Sequence, residues 1–302
     1  MDEGTQVKPY IAGVVFAALV GFSFLSVKVC VPVASTIEIV TFRYNFAFIG
    51  VSALVLLRFA KLPKLKGKKK AALFWSAGFY VLFMILQAAG LIFSTSVEGA
   101  VMFAIIPIIT KVIAGIFLGE KSTWKQNIFV GLSVMALIIM IVLGAGDLTI
   151  SIIGVVILTA SSLSLALSNV FMRYVRKLYS PFDISYTIAA LGFIAFNIGY
   201  FAYMISTRGS ILPYFGPCAN TAFVLATLYL GIPCIVASAW LMSYMLAHME
   251  AVKATIFGNL STAVSIVAGI MVLGEPFAYY NIICTAVIIA GVIGVSATGA
   301  KG

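Results

Sequence analysis

Residues 112–120 read VIAGIFLGE, and residues 267–275 read VAGIMVLGE. Both strings end in Leu-Gly-Glu, so Glu120 corresponds to Glu275, 155 residues further along the chain. Each string closes one long apolar segment and comes just before another. The chain therefore repeats itself, and the two strings mark the same point in two similar halves.

The apolar segments around these strings are long enough to cross a lipid bilayer, which takes about 20 mostly apolar residues. The chain of 302 residues is 63% hydrophobic and 9% charged, whereas soluble domains carry about 25% charged residues. Lipid must therefore surround most of the chain. One of the predicted spans, the fifth, is short and is expected to extend at its polar start. The ten predicted spans are Ile11–Val31, Ile37–Leu57, Ala71–Ile92, Val97–Leu118, Asn127–Leu143, Leu148–Phe171, Ile184–Ile205, Ala222–Leu246, Ala251–Leu273 and Phe277–Ser296.

The arrangement of the spans predicts an inverted repeat. The two strings lie in the fourth and ninth spans, so each half contributes five spans. Because five is odd, the second copy enters the membrane upside down relative to the first. We therefore expect one five-helix repeat at residues 1–146 and a second, inverted repeat at 147–302. Many transporters have this design and bind their substrate near the midplane, between the repeats.

The basic residues indicate how the chain is oriented. The net charge is +10, and basic residues crowd the stretch between the second and third spans. With the N-terminus in the cytoplasm, every basic residue faces that side except four. This bias predicts a multi-pass protein of the plasma membrane with both termini cytoplasmic, and it favours a topology signal over nucleic-acid binding. The four exceptions are Lys28, Arg43 and Lys111 within spans, and Arg208 outside.

Several classes of function lack their usual motifs. The cysteines are scattered, at Cys30, Cys218, Cys234 and Cys284, with no CxxC pattern or Cys/His cluster, so neither a metal nor another cofactor is expected. A phosphate-binding P-loop is absent, which argues against direct use of ATP. No HExxH motif or pair of aspartates within spans is present, and the single histidine, His248, lies at a helix end.

Three stretches of the sequence carry a resemblance to a known family. They are EIVTFRYNFAF at 38–48, the fourth and fifth spans from STSVEG at residue 94, and the eighth span onward from LYLGIP at residue 228. They resemble the EamA-type repeat of the drug/metabolite transporter superfamily over essentially the whole chain. This implies a ten-helix bundle of two inverted repeats around a central cavity, and Arg43 matches the family's second-span arginine. Relatives carry amino acids, cations and other metabolites, so the substrate stays open.

Polar side chains within spans are the first candidates for the transport site, because an ionisable group costs about 2.5–3.5 kcal/mol at a helix centre. Glu98 either couples a proton or meets a cationic substrate, or it is a helix-end residue stabilised by the dipole. Arg43 either contacts substrate or a gate, or it pairs with Glu38, Glu98 or helix carbonyls. The amide candidates for the cavity are Gln87, Asn169 and Asn259.

Aromatic side chains form a second group of candidates. Trp240 and Tyr244 share a face of the eighth span, and we expect Trp240 to be the most important ring of a site at the bilayer midplane. Phe22, Tyr80 and Phe103 lie at heights that reach the same cavity. These rings either bind a flat or cationic substrate or pack against lipid and the protein core.

Glu120 and Glu275 are expected to have a structural role. Each follows a glycine that ends a helix, and the carboxylate then lies at the positive end of the next helix.

Together these patterns predict a secondary transporter for a small organic metabolite that works by alternating access. Two alternatives from other classes are a membrane-embedded enzyme and a non-transporting receptor or assembly protein. The expected partners are a small-molecule substrate and the lipid bilayer. One chain suffices for a complete pathway, and a dimer is possible.

Overall fold

The computed structural model describes residues 3–63, 70–93, 102–144, 152–176, 178–208, 212–273 and 279–298, and over these residues it contains helices and no strand. Eight helices are long and apolar enough to cross a membrane, and two shorter apolar helices, Met102–Leu118 and Ile282–Ala297, bring the number among the described residues to ten. The protein is an all-α membrane protein. The helices are α1 (Glu3–Cys30), α2 (Thr36–Leu56), α3 (Lys70–Phe93), α4 (Ile106–Leu118), α5 (Trp124–Gly144), α6 (Ile152–Val175), α7 (Pro181–Arg208), α8 (Thr221–His248), α9 (Ala251–Thr255 and Phe257–Leu273) and α10 (Tyr279–Ala297).

These helices agree with the predicted spans to within a few residues at most ends. Helix α5 begins at Trp124, which confirms the expected extension at its polar start. Helix α6 continues to Val175, one turn beyond the predicted end at Phe171. The predicted start of the fourth span, Val97, lies outside the described residues.

The closest helix pairs join the two repeats. Helix α1 packs on α9 and α8, and its repeat counterpart, α6, packs on α4 and α3. Helix α2 packs on its own counterpart, α7, and α5 packs on α10. Each contact between two helices therefore has an equivalent contact between their counterparts in the other repeat, as a pseudo-twofold axis requires. Neither repeat buries its apolar faces alone, because each of three buried apolar clusters contains residues of both repeats.

Matching capping boxes start α2 and α7, at equivalent points of the two repeats. Glu38 Oε2 accepts hydrogen bonds from the Ser35 N–H (2.8 Å) and hydroxyl (2.7 Å). Asp183 Oδ2 accepts the same two bonds from Ser180, at 2.8 Å and 2.9 Å. Such boxes satisfy backbone donors at a helix N-terminus. They also align the repeats here residue by residue.

The start of α1 and the end of α10 lie at the same end of the bundle. The Tyr10 hydroxyl donates to the Ser296 carbonyl at 3.4 Å, so the start of α1 adjoins the end of α10. Thr123, before α5, donates to the Thr298 carbonyl at 2.9 Å. We refer to this end as the terminal face and to the other end as the opposite face.

Helix α8 changes its hydrogen-bonding pattern halfway across the bundle. Residues Ile232–Ala237 form a π-helical segment that begins beside Pro233. Just before it, Gly231 lies so close to α2 that a Cβ atom there would be 2.6 Å from the Arg43 carbonyl oxygen. π-helical segments occur mostly as single turns and often at functional sites, so this level of the bundle is a candidate position for the functional site.

A short helical segment, Leu212–Ala219, covers part of the opposite face. It is held by a ring of three hydrogen bonds: Asn45 Nδ2 donates to Tyr214 Oη (2.6 Å), Tyr214 donates to Asn197 Oδ1 (2.5 Å), and Asn197 Nδ2 donates to Asn45 Oδ1 (2.7 Å). Burial raises the pKa of Tyr214, so the phenol stays a neutral donor. The ring ties this segment to α2 and α7.

Candidate functional site

Arg43 on α2 is the charged residue at the level of the π-helical segment. It lies seven residues from the start of α2, a depth of about 10 Å at 1.5 Å per residue. It interacts electrostatically with Tyr44, Tyr80 on α3 and Cys234 of the π-helical segment. Tyr80 also lies beside Ser238. Three helices from both repeats therefore meet around one guanidinium group.

Two buried donors of this cluster make no hydrogen bond to the described part of the chain. They are Arg43 Nε and the Tyr44 hydroxyl. Tyr44 is fully buried and its ring stacks on Phe196 with centroids 4.8 Å apart. Glu38 does not pair with Arg43 through the hydrogen bonds seen, which join it to Ser35 and, at 3.0 Å, to the Tyr200 hydroxyl. Buried polar groups are nearly always satisfied, so these two donors need an explanation.

Two groups of predicted aromatic residues are brought together. Tyr80 packs edge-on against Phe83, and Phe83 packs against Phe103, with centroids 5.8 Å apart in both pairs. Trp240 stacks on Tyr244 with a centroid distance of 6.1 Å, as expected for two rings on one helix face. Trp240 is 44% exposed, which fits both a lipid-facing and a cavity-facing ring.

The remaining predicted residues differ in burial. Asn169 and Asn259 are buried, and Asn259 donates to the Ser133 hydroxyl at 3.5 Å. Gln87 is partly buried and Phe22 is 44% exposed. Glu98 lies outside the described residues. The role of all five in a cavity stays a prediction.

Glu120 has a different partner from the one expected. Gly119 adopts the left-handed conformation that ends α4, with φ of 68°, which confirms that part of the prediction. The Glu120 carboxylate, however, pairs with Arg173 at the end of α6, and its Oε2 accepts a 2.9 Å hydrogen bond from the N–H of Ala251, the first residue of α9. Glu120 therefore stabilises the N-terminus of a helix in the other repeat.

Arg173 completes this contact on the terminal face. Its Nε binds Glu120, and its Nη1 donates to the carbonyls of Leu246 (2.6 Å) and Met249 at the end of α8. The side chains of Arg173 and Glu120 are only 12% and 17% exposed. Removing one partner of a pair that is this little exposed would leave an uncompensated charge, which is costly.

A second polar contact joins the repeats beside the first. Gln126 on α5 donates to Glu250 Oε2 at 2.8 Å, and Lys253 on α9 lies 3.6 Å from Glu250 Oε1. Together these contacts tie α4 and α5 of the first repeat to α6, α8 and α9 of the second. We name the five side chains Glu120, Gln126, Arg173, Glu250 and Lys253 the terminal clasp.

The opposite face is arranged differently, since it holds a pocket. The pocket has a volume of about 430 Å³. Glu38, Pro213 and Asn220 are among its lining residues, so it lies under the short segment Leu212–Ala219. Glu38 is 3% exposed and places a carboxylate at the pocket wall.

Residues of the terminal clasp were missed as functional candidates. The sequence-based prediction treats Arg173 only as part of the basic bias and assigns no role to Gln126 or Glu250. The repeat offers a signal for Arg173. Ser180 and Asp183 repeat Ser35 and Glu38, and the same alignment makes Arg173 the counterpart of Lys28, which is predicted to lie within a span.

Among the described ranges, no cluster of His, Cys, Asp and Glu suited to a metal ion is found.

Comparison with known proteins gives a consistent picture. The sequence pattern of the EamA-like transporter family matches residues 7–142 and 152–297. The chain is 32% identical over 296 residues to the "Uncharacterized transporter YcxC" of Bacillus subtilis (strain 168), covering 97% of this chain and 94% of that protein. A solved crystal structure of a protein 12% identical in sequence has the same fold, with a TM-score of 0.76 over 95% of this chain and 96% of the other.

Proposed function

This chain belongs to the EamA-like transporter family, so it is a multi-pass membrane transporter of the drug/metabolite type, and from that premise we propose that it carries a small organic metabolite by alternating access. The observation that supports this mechanism is the terminal clasp. It joins the repeats by a buried ion pair at one face, while the other face holds a pocket. A carrier that is closed on one side has this arrangement.

The repeat suggests how the closed face exchanges. Lys28 is the counterpart of Arg173, and Glu275, which lies outside the described residues, is the counterpart of Glu120. In an inverted repeat, equivalent residues lie at opposite faces. We propose that the terminal clasp opens when the repeats rock against each other, and that Lys28 serves the equivalent contact when the opposite face closes. Transport then needs no ATP and no cofactor.

The site itself is proposed to lie between the two faces, at the level of Arg43 and Tyr80. Trp240, Tyr244, Phe103 and the amides remain candidates for its lining, and Glu98 for coupling or for a cationic substrate. Because the pathway lies within one chain, a monomer suffices.

The orientation is proposed from the basic residues, with the terminal face in the cytoplasm. Single cysteines introduced at Gly67 and at Gly209 in a cysteine-free protein are expected to react from opposite sides of the membrane. An impermeant maleimide added to intact cells is expected to label position 209 and to spare position 67. Labelling of position 67 alone, or of both positions, would contradict the proposed orientation.

A counterflow assay in proteoliposomes tests the function. The purified protein is reconstituted with a high internal concentration of one unlabelled metabolite, and uptake of the same labelled metabolite is followed for a panel of amino acids and organic cations. We expect at least one compound to accumulate transiently without ATP or an imposed ion gradient. Liposomes that hold the heat-inactivated protein are the control. Uptake equal to that control for every compound, from a preparation that remains folded, would argue against a carrier for these metabolites.

A further inference from the structure

The two unsatisfied donors on α2, at the level of the π-helical segment, point to the chemistry of the transported solute. Arg43 Nε and the Tyr44 hydroxyl are buried without a hydrogen-bond partner. A buried arginine donor without a partner is costly in the interior of a membrane bundle. Its cost falls sharply when an anion occupies the site, because a guanidinium binds a carboxylate through two parallel hydrogen bonds.

We propose that Arg43 and Tyr44, with Tyr80 beside them, form the anion-binding part of the transport site, and that the transported solute carries a carboxylate. This inference rests on the proposed function, and it narrows the metabolites to acids, amino acids among them. The three side chains come from α2 and α3 of the first repeat, and the π-helical segment of α8 supplies the wall from the second repeat.

The donors beside Arg43 suit a carboxylate. The phenols Tyr44 and Tyr80 and the Cys234 thiol interact electrostatically with the guanidinium group. Arg43 Nε and the Tyr44 hydroxyl offer two unsatisfied donors, and a carboxylate has two oxygens that accept hydrogen bonds.

The π-helical segment leaves polar atoms of α8 satisfied without the solute. Ser238 donates to the Cys234 carbonyl at 2.6 Å, and Ser185 on α7 donates to the Val236 carbonyl at 2.8 Å. Cys234 and Tyr229 both donate to the Leu19 carbonyl of α1, at 3.4 Å and 3.0 Å. These polar atoms of α8 and its π-helical segment therefore need no hydrogen bond from the solute. The unsatisfied donors, Arg43 Nε and the Tyr44 hydroxyl, both belong to α2.

The test uses matched pairs of solutes that differ only at the carboxylate. Purified protein is screened by thermal unfolding and by counterflow against phenylalanine, leucine, glutamine and alanine, each with its α-amide, and against inorganic phosphate and choline. We expect at least one free acid to stabilise the protein and to be transported, and its amide, phosphate and choline to have no effect. A ligand of the folded state raises stability by mass action.

The variants then assign the effect to the cluster. Arg43→Gln is expected to weaken binding of that acid at least tenfold, Arg43→Lys less than that, and Tyr44→Phe by a few-fold. Arg58→Gln, which removes the same charge from an exposed position, is the matched control and is expected to bind normally. The lysine and phenylalanine variants keep the test decisive if the glutamine variant fails to fold.

The outcomes separate this inference from the proposed function. Binding of the acid that depends on Arg43, without flux, would keep the site and argue against transport. Counterflow of choline or of an amide at equal rates in the wild-type and Arg43→Gln proteins would keep transport and overturn the carboxylate site. Failure of every acid to bind the folded wild-type protein would also overturn it.

Discussion

Replacing Arg173 by glutamate is expected to open the terminal face and to stop transport. The substitution puts two carboxylates together where a buried ion pair stood, and it releases the carbonyls of Leu246 and Met249. Breaking a buried ion pair costs about 3–5 kcal/mol. Because about 1.4 kcal/mol corresponds to a factor of ten, the ratio of closed to open molecules should fall more than a hundredfold. Counterflow should fall at least tenfold.

A cysteine beneath the clasp reports this change directly. Ser243 is 3% exposed and its hydroxyl lies 3.6 Å from Met172 Sδ, between α8 and α6. In a cysteine-free Ser243→Cys background, Arg173→Glu should raise the rate of maleimide labelling from the terminal face at least tenfold. The double exchange Glu120→Arg with Arg173→Glu should restore part of the protection.

Arg176→Gln is the matched control for this experiment. Arg176 lies at the same helix end, and its hydrogen bond goes to the Ala247 carbonyl at 3.0 Å, so its loss leaves the pair of Glu120 and Arg173 in place. Labelling and counterflow should stay within a factor of two or three of the parent. Equal labelling in Arg173→Glu and Arg176→Gln proteins would show that the clasp does not hold the face closed.

Gly231→Ala is expected to be among the most destabilising single-methyl changes in the bundle. The added Cβ would lie 2.6 Å from the Arg43 carbonyl oxygen, 2.8 Å from the Ala47 nitrogen and 2.8 Å from the Phe46 Cβ. Two of these are backbone atoms, which cannot turn aside, so α2 and α8 must separate at the level of Arg43. Overpacking of this kind costs about 1–3 kcal/mol, and we expect a fall in the unfolding temperature in detergent of about 5 °C or more.

Gly78→Ala provides the contrast, because nothing lies within 4 Å of a Cβ atom at that position of α3. Alanine is the better helix former by about 1 kcal/mol, so this variant should melt at the same temperature or higher. Gly131→Ala, equally open, should behave likewise. A Gly231→Ala protein as stable as these two would mean that α2 and α8 are not in close contact there.

Most of the fold could be predicted because it depends on local composition and on the repeat. Membrane spans show as apolar runs, and the paired Leu-Gly-Glu strings gave the two halves; both EamA-type repeats are confirmed. The π-helical segment of α8 and the break of α9 at Ile256 could not be predicted, since both depend on packing against other helices. The boundary between residues 146 and 147 and the orientation in the membrane stay predictions.

The candidate site was predicted only in part, for a similar reason. Arg43 and Tyr80 are predicted from residue type and depth and interact electrostatically, and their role in a site stays a prediction. Glu120 was interpreted from its neighbours in sequence, where a glycine precedes it and a helix follows. Its actual partners, Arg173 and Ala251, are distant in sequence, and local patterns carry no information about such contacts.

The terminal clasp also has a consequence for the empty carrier at rest. In the proposed mechanism Arg173 closes its face with a planar guanidinium that binds one carboxylate and two carbonyls, whereas its counterpart, Lys28, carries a single flexible ammonium. We therefore expect unequal resting populations, with most unloaded molecules open toward the opposite face. A solute on the opposite side can then bind most of the unloaded molecules. A solute on the terminal side can bind only the minority that is open toward it, so its apparent Kd equals the intrinsic Kd divided by the fraction of such molecules. The solute concentration that gives half-maximal transport would thus differ between the two sides of the membrane. The protein alone would still leave the equilibrium distribution of the solute unchanged.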